Sequence, residues 1–386
     1  MLEHLIHPEV RRIEISGIRK MANKVGQYNH VLSLTIGQPD FPTPAHVIEA
    51  AKQALDQGKT VYTANAGLPE LRAAASAYIK EKYGLEYRAE DEILVTAGAS
   101  EALDITFRTI LEPGCEVVLP APVYPGYEPL IRMCGAVPVF ADTTAHAFKL
   151  TAAALEPCLT DKTRCVVLAS PSNPTGAVLG RQELADLAAL LSERELFIVS
   201  DEIYSELVYE GGHHSIASQP GMRERTIVIN GLSKSHAMTG WRIGFTFAPA
   251  EITRHMVKVH QYNVTCASSV SQYAALAALT AGKDDARPMR EAYLSRRNFV
   301  YERLVEAGFD VHKPGGAFYI FPSIRKFGMD SVTFAHRLLD EQRVAVVPGS
   351  AFSPYGEGFI RISYACSMEV LEEAMRRLAD FASGLA

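Results

Sequence analysis

The chain has 386 residues, of which 48% are hydrophobic and 21% charged, an ordinary globular mix. Its 38 Lys and Arg stand against 44 Asp and Glu, a formal charge of −6 with no long basic run, which excludes a nucleic-acid-binding surface. That length exceeds what one hydrophobic core serves, so two closely packed domains are expected.

The opening Met1-Leu2-Glu3-His4-Leu5-Ile6-His7-Pro8 places acid and histidine where a secretory signal needs an unbroken apolar stretch. No apolar run approaches the roughly 18 residues of a membrane span. The six cysteines (Cys115, Cys134, Cys158, Cys165, Cys266, Cys366) are scattered without a Cys-x-x-Cys pair and read as reduced thiols of a cytoplasmic protein. His213-His214 is the one adjacent histidine pair; with no acid or cysteine cluster beside it in sequence, it reads as loop, and no metal site is expected.

From about Pro44 onward, amphipathic patterns of helical period alternate with short apolar runs. Helices are predicted over 45–57, 68–83, 100–111 and 182–194, and strands over 93–96, 116–119, 165–168, 196–199, 227–229 and 243–247. Strand runs rich in β-branched residues between helices indicate strands buried on both faces, hence an α/β fold with a mostly parallel sheet. After about residue 283 the pattern changes to a long helix over 287–307, short strands over 317–321, 344–347 and 359–363, and a closing helix over 368–381. The expected division is an arm and part of a small domain in 1–44, a large domain in 45–283, and a small α+β domain in 284–386.

In open α/β sheets chemistry gathers at the carboxyl ends of the strands, so the residues just beyond each predicted strand are the ones to read. After 93–96 come Ala97-Gly98-Ala99-Ser100 and then a helix, a small-residue turn with free N–H groups suited to a phosphate. A plain N-cap is the commoner use of such a serine. After 116–119 a Pro-rich loop carries Tyr124, either a ring set against a flat heterocycle or a core aromatic under a stiff turn. After 165–168 Asn173 stands between two prolines, its amide held in a fixed direction toward an oxygen ligand. After 196–199 comes Ser200-Asp201-Glu202-Ile203-Tyr204; an Asp ending a buried strand needs a cation, and a pyridinium nitrogen is one.

After 227–229 the segment Gly231-Leu232-Ser233-Lys234 presents a lysine with a hydroxyl beside it, and Arg242 lies eight residues beyond. A lysine joins an aldehyde only where its site helps it lose a proton, while Arg and Ser suit a phosphate. Most lysines are solvated surface residues; agreement among all these strand ends is what makes a pyridoxal phosphate site.

With Tyr62-Thr63-Ala64-Asn65-Ala66-Gly67, Ser172-Asn173-Pro174-Thr175-Gly176, Ser200-Asp201-Glu202-Ile203-Tyr204, Ser233-Lys234 and Thr239-Gly240-Trp241-Arg242 in order, the chain resembles the class I aminotransferases of the fold-type-I pyridoxal phosphate enzymes. The resemblance runs from Leu34 to Arg361. It implies a large cofactor-binding domain whose mostly parallel seven-stranded sheet lies between helices, a smaller α+β domain, and pyridoxal 5′-phosphate as cofactor. Lys234 would hold the cofactor aldehyde and carry the proton, Asp201 would pair with the ring nitrogen, and Tyr204 and Asn173 would bond the ring oxygen. Tyr124 would stack on the ring. Gly98, Ala99, Ser100, Ser233 and Arg242 would hold the phosphate, joined by Tyr62 from the second subunit of a homodimer with shared active sites. Arg361 would clamp the substrate α-carboxylate, and Gly37 would let the backbone come close to it.

One position departs from the pattern: many relatives carry Ser or Thr three residues before the lysine, where this chain has Gly231, leaving the phosphate one hydroxyl short unless Ser233 or water substitutes. The strings Arg12–Lys20, Val259-His260-Gln261-Tyr262-Asn263-Val264, Pro314–Pro322 and Tyr364-Ala365-Cys366-Ser367 are most similar to the N-acetyl-LL-diaminopimelate aminotransferases of bacterial lysine biosynthesis. That similarity implies amino-acid and 2-oxo-acid substrates, with 2-oxoglutarate and glutamate as the second pair. Arg19, Lys20, Gln261, Tyr262 and Asn263 are candidates to read a distal substrate group, although Arg19 and Lys20 fit solvated helix positions better. Aromatic or aspartate transamination and carbon–sulfur β-elimination are the neighbouring alternatives. A regulatory binding module would need a basic helix-turn-helix extension, whereas this chain starts directly with the enzyme-like arm.

Overall fold

The computed structural model describes residues 2–385. Its strands are β1 (Leu32–Ser33), β2 (Ile93–Thr96), β3 (Glu116–Ala121), β4 (Val137–Asp142), β5 (Thr163–Ala169), β6 (Phe197–Asp201), β7 (Thr226–Gly231), β8 (Gly244–Phe247), β9 (Tyr319–Ile320), β10 (Val344–Ala345), β11 (Val347–Pro348) and β12 (Ile360–Ser363). Seven of them form one sheet in the order β2-β8-β7-β6-β5-β3-β4. The pairs along β7, β6, β5, β3 and β4 are parallel, and β8 runs antiparallel between β2 and β7. Helices cover both faces, which is why Val117–Leu119, Cys165–Val167 and Ile227–Ile229 are each fully buried.

Six of these seven strands fall on the predicted apolar runs. The seventh, β4, does not, because Pro138 interrupts its pattern; the strand is tolerated as an edge that pairs with β3 alone. Parallel strands put their carboxyl ends on one rim, so the segments after β2, β3, β5, β6 and β7 meet there, together with the residues that lead into β8.

The C-terminal part builds its own core. The strand expected over 344–347 is split at Val346: β10 pairs in parallel with β1, while β11 joins the antiparallel sheet β11-β12-β9. Met21 and Leu34 share an apolar cluster with Phe334, Leu338, Leu371, Leu378 and Phe381. Met21 and Leu34, both before Pro44, thus pack into the C-terminal core, whereas the helix Pro8–Arg12 contacts the helix Tyr127–Met133 beside the large sheet. The helix Gly17–Val25 that carries Met21 begins where the Ser16 side chain accepts the Arg19 amide. Among the described residues no helix is long and apolar enough to cross a membrane.

Candidate active site

Lys234 lies one short helical turn past β7, with its Nζ 2.6 Å from the Gly37 carbonyl oxygen. Its ammonium stands 5.7 Å from the centre of the Tyr204 ring and 5.9 Å from that of Phe318. Burial, then the positive Arg361 and Arg242, lower the amine to about 8, with Asp201 opposing. The result is an amine whose neutral fraction near pH 7 exceeds that of a solvated lysine by roughly two orders of magnitude. Gly37 also lies close to Tyr319: a Cβ there would stand 3.0 Å from the Tyr319 hydroxyl.

Asp201 ends β6 in a buried position. Its Oδ2 accepts a 2.5 Å hydrogen bond from the Tyr127 hydroxyl and its Oδ1 accepts the Ile203 amide at 3.2 Å. Burial raises its pKa, against the lowering influence of Tyr127, Ile203 and Lys234. A carboxylate kept here gains most from a cation brought to it. Tyr124 stands edge-on to Tyr127, ring centres 5.4 Å apart and planes at 86°. Beside them the buried Tyr204 and Tyr319 share a 2.9 Å hydroxyl–hydroxyl bond, and burial drives the Tyr204 phenol well above its usual range.

Arg361 sits in β12 and is 1% exposed. Its Nη1 donates to Asn173 Oδ1 at 3.0 Å and its Nη2 to the Thr35 carbonyl at 2.7 Å. The guanidinium lies 4.4 Å from the Tyr319 ring centre and 5.0 Å from that of Phe352. Burial lowers its pKa, and its Nε has no hydrogen-bond partner among the described residues. Among the described residues no carboxylate side chain pairs with this buried cation, which leaves it without a counter-charge.

The opposite end is made of backbone. Gly98, at φ +87°, starts the helix Ala99–Ile110 without any side-chain cap, so its first N–H groups remain open to a ligand. Arg242 reaches over this turn: its Nη2 lies 3.5 Å from the Ala97 carbonyl and its Nη1 3.0 Å from that of Thr239. A Cβ on Gly98 would fall 2.5 Å from Arg242 Nη2 and push the guanidinium off the turn, and the φ of +87° disfavours a side chain there in any case. Ser100 is exposed on the first turn of the helix, and the buried Ser233 makes no side-chain hydrogen bond among the described residues. Gly231 is extended, and a Cβ there would meet Ile203 Cδ1 and the Ile243 carbonyl at 3.1 Å each. The hydroxyl that many relatives carry at that position has no room here without a local shift.

The strand rim therefore brings Lys234, Asp201, Tyr204, Tyr124, Asn173 and Arg361 together with Gly37, and Gly98, Ala99 and Arg242 line the cradle. Tyr62 is not among them; its ring is 82% exposed. Arg19, Gln261 and Tyr262 are exposed too, Lys20 is engaged by Glu14 at 2.7 Å, and Asn263 contacts Asp104 at 3.4 Å. His213, which has no acid beside it in sequence, is bonded in space to the buried Glu202 at 2.8 Å. Sequence reading did not single out Tyr127, Tyr319 or Thr35. Tyr127 lies three residues past Tyr124 and Tyr319 lies within Pro314–Pro322, but no spacing rule distinguishes a tyrosine that bonds a carboxylate from one that fills a core.

A mostly parallel sheet with a desolvated lysine, a buried carboxylate and Arg242 at one rim, and with Arg361 of β12 bonded to Asn173 beside them, defines a group-transfer enzyme that handles carboxylate substrates. Residues 29–378 match the family model for aminotransferase class I and II, and the chain belongs to that family. It is 60% identical over 98% of its length to a probable N-acetyl-LL-diaminopimelate aminotransferase of Bacillus subtilis, covering 96% of that protein. It is 44% identical to an aspartate aminotransferase of Pyrococcus abyssi, over 94% of each chain. Among solved structures, the aromatic aminotransferase of Pyrococcus horikoshii superposes with a TM-score of 0.91 at 44% identity, over 95% of this chain and all of that one (100%).

Proposed function

We propose that this aminotransferase uses pyridoxal 5′-phosphate and passes the amino group of N-acetyl-LL-2,6-diaminopimelate to 2-oxoglutarate, giving glutamate. The reading extends to a cytoplasmic homodimer with shared sites and to a division into 1–44, 45–283 and 284–386. The observation that carries the chemistry is the Lys234 amine, lowered to about 8 and flanked by a buried carboxylate and two cations. The 60% identity with the Bacillus subtilis protein supports the substrate.

The residues fit the cofactor on three counts: an amine able to condense, a buried Asp201 lacking a cation, and a glycine-made cradle under Arg242. When bound, pyridoxal phosphate supplies an aldehyde that condenses with amines and a ring that accepts the electron pair left by a departing α-proton. Lys234 would hold that aldehyde, and its Nζ, once free, would take the proton from the substrate Cα. Asp201 would hold the proton on the ring nitrogen, Tyr204 and Asn173 would bond the ring oxygen, and Tyr124 would pack on the ring face. Gly98, Ala99, Ser100, Ser233 and Arg242 would hold the phosphate, with the exposed Tyr62 available to the second subunit. Arg361 grips the α-carboxylate beside Gly37 and fixes the direction of the Cα–H bond. The second substrate reverses the sequence, so the kinetics are ping-pong.

The test is a half-reaction screen in which single amino acids are added to cofactor-loaded protein and conversion of the aldehyde form to the amine form is followed by absorbance. Fast conversion with N-acetyl-LL-diaminopimelate and glutamate, and slow conversion with phenylalanine and aspartate, is the expected pattern. Preference for either of the latter two discards the substrate and keeps the chemistry. Release of ammonia and pyruvate without an oxo-acid acceptor would mark a β-lyase instead.

A further inference from the structure

The string Val259-His260-Gln261-Tyr262-Asn263-Val264 plays no part in the reading above, yet its histidine is fully buried. His260 lies on the helix Ala250–Asn263, which packs against the helix Ala99–Ile110. Its Nδ1 is 2.7 Å from Glu101 Oε1, and the two side chains are 0% and 8% exposed. Glu101 occupies the first turn of the helix that begins at Gly98, and its other oxygen, Oε2, accepts the Ala97 amide at 2.6 Å. The same turn is tied from elsewhere by Thr96 Oγ1, which donates to the Gly98 carbonyl at 3.1 Å, and by Arg242 on the Ala97 carbonyl. Gly244 closes it from below, since a Cβ there would fall 2.7 Å from the Ala99 amide nitrogen.

A buried glutamate at this place is a two-sided choice. Its oxygen fixes the turn that aims the Ala99 and Ser100 amides, but its negative charge sits one turn from the cradle that is to receive a phosphate dianion. A donor on the far oxygen both fixes the carboxylate and offsets its field. His260 is that donor: to serve an ionised Glu101 its proton must be on Nδ1, and its Nε2 has no partner among the described residues, so no other bond competes for the orientation of the ring.

We propose that His260 is a positioning residue for the phosphate end of the site, acting through Glu101 on the Ala97–Ser100 turn. The proposal rests on the assignment of that turn and Arg242 to the phosphate. Within the 259–264 string it gives His260 a role behind the cofactor rather than in reading the substrate; Asn263, at the end of the same helix, touches Asp104 of the helix Ala99–Ile110 at 3.4 Å.

The experiment compares pyridoxal phosphate with pyridoxal, which lacks the phosphate, by equilibrium dialysis against apoprotein. His260→Leu is expected to weaken pyridoxal phosphate binding by roughly 10- to 100-fold while pyridoxal changes by less than about 3-fold, the scale of one buried charge-assisted bond. The ³¹P resonance of the bound phosphate should move in the same variant. His260→Asn, whose amide nitrogen can replace Nδ1, should restore both. Equal losses for the two ligands would show a merely structural role and overturn the proposal, as would no loss at all. Should His260→Leu fail to fold, His260→Phe, which keeps a buried ring but no donor, carries the same comparison. Arg242→Gln separates the two levels of the argument. If it distinguishes the ligands and His260→Leu does not, only the role of His260 falls. If Arg242→Gln does not distinguish them either, the phosphate assignment falls and this inference with it.

Discussion

In the proposed function the two arginines of the site, Arg361 and Arg242, each hold an anion, and they are preorganised by opposite means. Arg361 is 1% exposed, wedged between the Tyr319 and Phe352 rings and tied to Asn173 and Thr35. Arg242 is exposed, held by two backbone carbonyls, and its own backbone takes the left-handed φ of +51°. The first is preorganised by desolvation, so its Coulomb field is strong and its demand for a carboxylate specific. The second is preorganised by backbone conformation, a strained one for a non-glycine residue, and shares its anion with helix amides. On the proposed function, a substrate that must be recognised anew in each cycle would meet the buried clamp, and a phosphate that stays would meet the solvated one.

The largest expected effect lies between the clamps. Lys234→Ala should lower turnover by at least ~10⁴-fold, because covalent anchor and proton carrier vanish together; steady-state activity near the wild-type value would break the assignment. Next come the clamps themselves. Arg361→Gln should raise KM for amino donors on the order of 10² to 10³-fold, with cofactor retention unchanged, as expected when one partner of a buried charged contact is removed. Arg242→Gln should do the reverse, releasing cofactor on dialysis while KM in excess cofactor changes little. Identical phenotypes would erase the distinction drawn here.

The smallest effect concerns stability. The Lys234 amine sits at about 8 in the fold against an ordinary 10.5, so the unfolded chain binds more protons between those values. Stability contributed by this group is therefore present above 10.5 and lost as pH falls through 8. Replacing the lysine by a neutral residue should remove that penalty. Lys234→Met apoprotein should be more stable than the parent at pH 7 by roughly 1 to 3 kcal/mol after solvent screening, with the gain shrinking as pH rises toward 10. A gain that does not change with pH in thermal melts would show that packing, not the charge, is responsible.

How much of this was legible beforehand differs by region. The rim residues were readable because each follows a strand by a fixed short step, and a run such as Cys165–Leu168 declares itself by composition. Pro138 hid β4, since proline argues against a strand unless the strand is known to be an edge. Gly231 was visible as a departure from its relatives, but only the packing of Ile203 and the Ile243 carbonyl around it gives the reason. His213 looked like loop because its acid, Glu202, is eleven residues upstream and meets it only in the fold.

By itself the sequence determined the α/β architecture and the candidates for the reacting side chains, because buried strands, turn glycines and strand-end polar residues are local signals. The tertiary structure alone decided what those side chains can do. Lys234 meets Gly37 across 197 residues, Arg361 meets Asn173 across 188 and Thr35 across 326, and Glu101 meets His260 across 159. An amine loses its proton and a guanidinium its water through the combined desolvation and charge of such distant neighbours, and no window of sequence contains them together.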